Sequence, residues 1–290
     1  MKLHVDITRY DSRSDAAPRV QRFTVEADPT ERVLDVLLTI KRDQDATLSF
    51  RYSCAHGVCG SDAMRINGRE RLACKTLVRD VTGAGTEAGA GKAPAAGTAA
   101  AGKAAQAAAA PAPPANQTAP DGTAVIRVEP LRHFPVERDL VVDQTEFIRR
   151  LRSVAPYLLP AEGVAPDNGK EILQTQQQHA QFEDATKCIS CGACFSACPV
   201  LETNPRFLGP AAIVQAARFV EDSRDWGLAP RLDALDRADG IWACENHFEC
   251  TRVCPREIKV TKLINLMKRR VTQERTRRGE TVHDGAAKGA

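Results

Sequence analysis

The sequence predicts an α+β fold, with a small strand-rich domain followed by an all-α domain. Apolar residues alternate at Leu3, Val5 and Ile7, which is the period of a half-buried strand. Beyond residue 143 the apolar residues instead repeat at helical spacing. The cysteines form groups in both predicted domains, and a chain of 290 residues is long enough for two domains.

The strand-rich domain is predicted over residues 1–142. Two strands lie near the N-terminus, the second of them at "RVQRFTVEA". Thr30 is the predicted N-cap of a helix that reaches Ile40. The strands "AMRI" and "RLAC" flank an Asn67-Gly68 turn, which is typical of a hairpin, and the strand pattern resumes at "AVIRVEPL". These segments predict a small sheet with one packed helix.

An insert interrupts this domain at about residues 83–121. The segment "AGKAPAAGTAAAGKAAQAAAAPAPPANQ" has almost no side chains that could form a core, so it predicts a mobile surface loop. A second interpretation stays open, because "AAQAAAA" also favours a local helix. Since strands are predicted on both sides, we place the insert within one domain and not between two.

The all-α domain is predicted over residues 143–275, with a polar tail at residues 276–290. The sequence "DQTE" at residues 143–146 resembles a capping box that opens a helix through "FIRRLRSV". Further helices are predicted near residues 171–183, after Gly209-Pro210, around "RLDALD" and at "VTKLINLMKRR". The cysteine groups of this domain therefore lie between helices.

Composition excludes several classes of function. The net charge of +3 is small for this length, so no nucleic-acid partner is predicted. No stretch reaches the roughly 18 apolar residues of a membrane-spanning helix. The opening "MKLHVDITRY" reads as a strand without an apolar signal segment, which favours a reducing compartment. The cysteines are therefore interpreted as metal ligands and not as disulfides.

The first C-terminal cysteine group, "CISCGACFSACP", has the spacing C-x2-C-x2-C-x3-C-P of bacterial ferredoxins. In that pattern the first three thiolates hold one cubane, and the fourth serves a different cluster. Cys188, Cys191 and Cys194 are the predicted first three ligands of a 4Fe-4S cluster. By the same crossed arrangement, Cys254 returns from the second group as the fourth ligand.

The second cluster has three predicted ligands, Cys198, Cys244 and Cys250. A complete motif would place a cysteine at position 247, where this chain has His247. Three thiolates suit a 3Fe-4S cluster, and His247 then lines the cluster pocket. Iron ligation by His247 stays open, because imidazole ligates iron in Rieske centres. Zinc is the other interpretation of C-x2-C pairs, but interlocked runs of seven thiols fit it poorly.

The N-terminal group, "CAHGVCGSDAMRINGRERLAC", has the spacing of plant-type 2Fe-2S ferredoxins, whose domain is a β-grasp fold. Cys54 and Cys59 are separated by four residues, Asp62 stands at the third ligand position, and Cys74 closes the site. A carboxylate also binds iron, so Asp62 is the predicted fourth ligand. In the alternative, Asp62 only accepts hydrogen bonds from the loop, and water or Ser61 completes the coordination of the iron.

In combination, "SCAHGVCGSDAMRINGRERLAC", "PRFLGPAAIV" and "CTRVCP" resemble the iron-sulfur subunit of succinate dehydrogenase or fumarate reductase from bacteria. The resemblance covers nearly the whole chain except the insert and the tail. Members of that family often carry Asp at the third 2Fe-2S ligand position. The resemblance implies FAD on a flavoprotein subunit, then 2Fe-2S, 4Fe-4S and 3Fe-4S clusters, then a quinone beside a transmembrane anchor subunit.

Within that resemblance, the chain is expected to be the electron-transfer subunit of a succinate:quinone oxidoreductase. It contains no nucleotide or flavin fingerprint, so no catalytic residue is expected on it. The expected location is peripheral, at the cytoplasmic face of the bacterial inner membrane. Fumarate reduction in the opposite direction is an alternative, and so is electron transfer within a different membrane-associated oxidoreductase. A soluble electron carrier is a further alternative.

The expected quinone is menaquinone. In ubiquinone-linked relatives tryptophans follow the 3Fe-4S ligand, whereas "CPVLETNP" has Glu202 and Thr203 there, and Glu245 stands where those relatives often have His. In the alternative interpretation, these side chains only pack against the anchor subunit. The candidate residues of the quinone pocket are Pro199, Val200, Thr203, Glu245 and His247.

Overall fold

The computed structural model of the chain describes residues 1–83, 117–160 and 171–279. The N-terminal part is built on a mixed sheet and the C-terminal part on short helices around one central helix. The strands are β1 Lys2–Arg9, β2 Arg19–Glu26, β3 Ala63–Ile66, β4 Arg69–Leu72, β5 Gln117–Thr118, β6 Ala124–Glu129, β7 Val136–Arg138 and β8 Val141–Val142. The helices of the N-terminal part are α1 Val33–Asp43 and α2 Val78–Thr82.

The C-terminal helices are mostly single turns. They are α3 Thr145–Ser153, α4 Gln176–Ala180, α5 Glu183–Thr186, α6 Ala193–Ser196, α7 Val200–Thr203, α8 Pro210–Val220, α9 Leu232–Leu235, α10 Glu249–Arg252 and α11 Val260–Arg277. Two 3₁₀ turns lie at Ala229–Arg231 and Ile241–Ala243. In the described part of the chain no helix is both long enough and apolar enough to cross a bilayer.

The main sheet has the strand order β2-β1-β6-β3-β4, and β5 also pairs with β6. The pair β1 and β6 is parallel, with Leu3 opposite Ala124, and the other pairs are antiparallel. Alternation along β1 buries Leu3, Val5 and Ile7 against the apolar face of α1. The predicted strands, hairpin and helix are confirmed, except that the strand predicted at "RLAC" lies two residues earlier, at Arg69–Leu72, so Cys74 follows it.

The predicted N-cap of α1 is wrong. Arg32 is the N-cap, and its backbone N–H donates to the Asp35 carboxylate in the first turn at 3.2 Å. Thr30 instead donates its hydroxyl to Asp28. The chain is therefore still in the preceding turn at Thr30, because the local Asp28 carboxylate competes for its hydrogen bond.

The insert is shorter at its C-terminal end than predicted. Gln117 and Thr118 form β5, and the Ala119 N–H donates to the Thr123 carbonyl at 2.8 Å to close the turn into β6. Residues 117–118 therefore belong to the sheet, and residues 119–121 belong to the turn that follows. The predictions of a mobile loop and of a local helix fall on residues 84–116, which lie outside the described residues.

Helix α8 is the centre of the C-terminal core, and nine of its eleven residues are buried. Helices α3, α5, α6 and α11 pack against it. Gly209 precedes the helix with a φ of +91°, and an added Cβ would lie 2.8 Å from the Phe195 ring. Glycine is therefore required for the close approach of this helix start to α6.

Three helix predictions need correction at their ends. Helix α3 begins at Thr145, where the Asp143 carboxylate accepts the Thr145 N–H, but Glu146 pairs with arginines of its own helix and does not complete the capping box. The helix predicted near residues 171–183 is two short helices, α4 and α5, capped at Thr175. Helix α11 continues to Arg277, into the predicted tail.

Candidate metal centre

Four cysteines line one cavity in the C-terminal domain. Three come from the first C-terminal motif, on the loop before α6 and on α6 itself, and the fourth comes from the loop after α10. The loop before α6 turns sharply, because Ser190 and Gly192 have φ values of +52° and +80°. These cysteines are the predicted 4Fe-4S ligands Cys188, Cys191, Cys194 and Cys254.

Three other cysteines line a second cavity. Cys198, at the end of the first motif, faces Cys244 and Cys250 of the second motif there. The structure therefore brings together the crossed sets that the spacing predicts. No disulfide joins any of the ten cysteines, and in the described residues no three His, Cys, Asp or Glu side chains form a group suited to a single metal ion.

Burial governs the protonation of these thiols. It raises the pKa of Cys191 and of Cys198 to about 12, and it raises the pKa of Cys194 well above its ordinary value. The thiolate is the form that binds metal, so iron must displace protons from these sites. A cluster of iron ions supplies the positive charge that an apolar pocket lacks.

The second cavity also contains most of the predicted quinone-pocket residues. Pro199, Val200, Glu245 and His247 line it, next to the three cysteines. Thr203 does not line it, and its hydroxyl donates to the Val200 carbonyl at the end of α7. Thr203 therefore lies outside this lining but in direct contact with Val200, one of the other four candidates.

His247 occupies the predicted position in the register, between Cys244 and Cys250. Its Nε2 lies 2.9 Å from the Glu245 carboxylate, and both side chains are partly exposed. Phe248 follows with a φ of +64°, lines the same cavity and is 51% exposed. The cavity wall is therefore also part of the molecular surface.

The N-terminal cysteine loop directs backbone N–H groups at sulfur. His56 and Cys59 donate to the Cys54 thiol at 3.4 and 3.3 Å, and Gly57 donates to Cys74 at 3.2 Å. Backbone hydrogen bonds, the one from His56 first, lower the pKa of Cys54 to about 6. Burial and the nearby Asp62 carboxylate raise the pKa of Cys74 to about 12.

Asp62 is buried in the same site, with 2% of its surface exposed. Its Oδ2 accepts the Cys74 N–H at 2.6 Å, whereas its Oδ1 is buried and has no hydrogen-bond partner among the described residues. An unpaired buried carboxylate oxygen is costly unless something binds it. The donor set of three thiols and one carboxylate therefore fits a 2Fe-2S cluster.

Sequence analysis missed the side chains that fix the cysteine loops from a distance. Arg32 donates to the Ala55 carbonyl at 3.0 Å, inside the N-terminal cysteine loop. Lys268 of α11 donates to the Cys244 carbonyl at 2.7 Å. Each pair joins segments that are remote in the sequence, and no motif spacing relates them.

Two family comparisons agree with these sites. Residues 4–149 match the family described as "2Fe-2S iron-sulfur cluster binding domain", and residues 184–258 match the "4Fe-4S dicluster domain". The fold and the cysteine arrangement together define an iron-sulfur protein with a 2Fe-2S ferredoxin domain and a helical 4Fe-4S ferredoxin-like domain.

Curated relatives specify the family. The fumarate reductase iron-sulfur subunit of Mycobacterium tuberculosis is 38% identical over 89% of this chain and 87% of the relative. The fumarate reductase iron-sulfur subunit of Haemophilus influenzae is 34% identical over 91% of this chain and 90% of the relative. The succinate dehydrogenase iron-sulfur subunit of Coxiella burnetii is 32% identical over 94% of this chain and 98% of the relative. The chain belongs to the family of iron-sulfur subunits of succinate dehydrogenase and fumarate reductase.

A solved structure supports the same conclusion. A chain of the "Mycobacterium smegmatis Sdh1 complex in the apo form" superposes with a TM-score of 0.72 and 25% identity, covering 97% of this chain and 99% of that chain. The predicted fold class and the resemblance are confirmed. The protein is an electron-transfer subunit, and its 2Fe-2S and 4Fe-4S domains are those of this family.

Proposed function

We propose that this subunit carries single electrons between FAD on a flavoprotein subunit and menaquinone beside a transmembrane anchor subunit. Three clusters would serve as carriers, and the complex would lie at the cytoplasmic face of the bacterial inner membrane. Iron-sulfur clusters exchange one electron at a time, whereas flavin and quinone each exchange two. In this proposal residues 1–142 hold one cluster, and residues 143–275 hold two.

The proposed ligand sets follow the two cavities and the N-terminal loop. Cys54, Cys59, Asp62 and Cys74 would hold the 2Fe-2S cluster. Cys188, Cys191, Cys194 and Cys254 would hold the 4Fe-4S cluster. Cys198, Cys244 and Cys250 would hold the 3Fe-4S cluster. The residues that would border the quinone are Pro199, Val200, Thr203, Glu245 and His247.

The exchange of ligands between the two C-terminal motifs carries this proposal. Cys198 leaves the first motif to face Cys244 and Cys250, and Cys254 leaves the second motif to face the first. In this proposal the two cluster sites lie side by side around α6 and α7. Adjacent sites within one domain are what a chain of electron carriers requires.

Paired substitutions test the ligand sets. In the purified complex, Cys254→Ser should remove the 4Fe-4S signal and preserve the 3Fe-4S signal. Cys198→Ser should instead remove the 3Fe-4S signal and preserve the 4Fe-4S signal. EPR spectra of the oxidised and reduced complexes measure both. Loss of the same cluster in both variants would contradict the crossed sets.

Activity of the wild-type complex tests the substrates. Succinate oxidation should be coupled more efficiently to a menaquinone analogue than to a ubiquinone analogue, and fumarate reduction with the reduced analogues measures the opposite direction. A clear preference for the ubiquinone analogue would contradict menaquinone, and inactivity with both dicarboxylates would overturn the proposal as a whole.

A further inference from the structure

The N-terminal and C-terminal cluster sites meet at Gly60 and Cys191. Gly60 directly follows Cys59, and it is buried. A Cβ added at Gly60 would lie 2.6 Å from the Cys191 Cβ, 3.1 Å from its Cα and 3.3 Å from the Ile189 Cδ1. Real Cβ atoms essentially never approach another atom to 2.6 Å. The backbone of one cysteine loop therefore touches a cysteine of the other.

The neighbouring side chains confirm that this is a packed boundary. Ile189 and Cys191 belong to the C-terminal motif by sequence, yet both pack against the hydrophobic core of the N-terminal sheet. Ala63, one residue after Asp62, packs against both cores. No space is left at this boundary for an additional side chain on the N-terminal loop.

A buried hydrogen-bonded junction holds the domains together beside this contact. Ser196 of α6 is fully buried, donates to the Glu70 carboxylate of β4 at 2.8 Å and accepts the Arg132 N–H at 2.8 Å. Arg69 of β4 also donates to the Arg252 carbonyl at 2.7 Å. Because the Glu70 carboxylate is buried, moving it away from Ser196 by a distance too small to admit water would leave it without this hydrogen bond, at a cost in free energy.

We propose that Gly60 is a positioning residue that sets the separation between the 2Fe-2S and 4Fe-4S sites, through its side-chain-free contact with Cys191. The inference rests on the ligand sets of the proposed function. Any side chain at position 60 would push the two cysteine loops apart. Electron transfer and the magnetic interaction between two centres both weaken steeply with distance.

The substitution Gly60→Ala in the assembled complex tests this role. Iron and sulfide contents should stay near those of the wild type. The broadening of the reduced 2Fe-2S EPR signal by the reduced 4Fe-4S cluster should decrease. The rate of 4Fe-4S reduction after rapid mixing with succinate should decrease with it. The broadening reports separation directly and does not depend on turnover.

A glycine outside the cysteine loops provides the control. Gly122 has a φ of +78° with nothing within 4 Å of an added Cβ. Gly122→Ala therefore introduces the same kind of backbone strain without a steric clash, and it should keep the wild-type broadening.

Ile189 allows the same test from the opposite side. Ile189→Phe adds bulk at this contact and leaves the N-terminal loop unchanged, whereas Ile189→Ala removes bulk. The broadening should decrease in Ile189→Phe and persist in Ile189→Ala. If Gly60→Ala does not assemble, this pair decides the question alone.

The outcomes separate this inference from the proposed function. A wild-type complex without 2Fe-2S and 4Fe-4S signals would overturn the proposed function. If the wild-type complex has both signals but the broadening is unchanged in Gly60→Ala, only the positioning role of Gly60 is overturned. If Gly60→Ala does not assemble, unchanged broadening in Ile189→Phe has the same meaning.

Discussion

Lys268 donates a hydrogen bond from its ammonium group to the backbone carbonyl of Cys244, with 2.7 Å between nitrogen and oxygen. The contact joins the long helix α11 to the loop that contains Cys244, one of the three proposed 3Fe-4S ligands. A half-buried lysine can extend its apolar stem along the helix while its charge reaches the loop. The position of Cys244 is therefore fixed by a residue far along the chain.

We expect Lys268→Met to weaken the 3Fe-4S site selectively. The substitution keeps an apolar stem but removes the donor, and groups that orient metal ligands typically contribute roughly 10- to 100-fold in affinity or activity. The 3Fe-4S EPR signal per flavin should decrease, with the other two signals unchanged. Lys262→Met, at an exposed position of the same helix, is the control. Equal signals in the two variants would contradict this role.

Asp62 should be required as an anion and not only as a hydrogen-bond acceptor. Asp62→Asn retains an oxygen that can accept the Cys74 N–H but loses the charged ligand, so the 2Fe-2S signal should be lost, as in Asp62→Ala. Asp62→Cys should retain a cluster, because cysteine is the usual ligand at this position. EPR of the reduced complex measures each variant, with Cys54→Ser as the reference for a lost ligand.

A normal 2Fe-2S signal in Asp62→Asn would show that the hydrogen bond to Cys74 is sufficient. Water or Ser61 would then be the fourth ligand that completes the coordination of the iron. The hydroxyl of Ser61 lies 3.1 Å from the Cys59 sulfur, so Ser61→Ala distinguishes these two outcomes.

His247→Cys should convert the 3Fe-4S site toward a 4Fe-4S cluster. Position 247 is the place of the missing thiolate, and the side chain already lines the cavity of the other three. Added iron and thiolate should lower the reduction potential and slow electron delivery to quinone. Mössbauer and EPR spectra measure the conversion. If the oxidised wild type lacks a 3Fe-4S signal and His247→Ala gains one, His247 is an iron ligand.

Removing Arg231 should destabilise the C-terminal domain. Its side chain is fully buried, pairs with the Asp225 carboxylate at 2.6 Å and donates to the carbonyls of Ala155 and Tyr157. Arg231→Met leaves the buried Asp225 carboxylate without its cationic partner, and this should lower the unfolding free energy by about 3–5 kcal/mol. Urea unfolding of the complex, followed by loss of cluster absorbance, should shift to lower concentration. Arg149→Met, which removes an exposed ion pair, should leave the midpoint unchanged.

Two deletions of the insert should behave differently. Removing residues 84–116 and joining the ends with a short Gly-Ser segment should preserve the 2Fe-2S signal, because loop length affects stability only weakly. Removing residues 84–120 also deletes β5 and the turn that starts at Ala119, so the signal should decrease. The 2Fe-2S content per flavin measures both. A severe loss in the shorter deletion would assign a structural role to the insert.

Much of the site could be predicted from the sequence because short motifs impose it. Three thiolates within seven residues must share a centre, and the spacing of Cys198 and Cys254 already implies an exchange. The Asn67-Gly68 turn likewise determines its own hairpin, because both residues adopt positive φ values there. Local chemistry is sufficient in each of these cases.

The remainder depends on contacts between distant segments. No local pattern shows that β1 pairs in parallel with β6, or that β7 and β8 form a separate hairpin. The contact of Gly60 with Cys191 depends on how two domains meet. Thr30 illustrates the opposite error, because a good capping residue lost its role to Arg32 and Asp35, two to five positions further along.

The parallel pairing of β1 with β6 also orders the events of biosynthesis. β1 leaves the ribosome first, but its neighbour on one side is completed only when residues 124–128 have been made. At ordinary translation rates this delay is on the order of ten seconds. The segment from Cys54 to Cys74 emerges during that interval, while the sheet beneath it is still open. Cys74, which the folded domain buries, is therefore exposed to the cell on a nascent chain before that domain is complete.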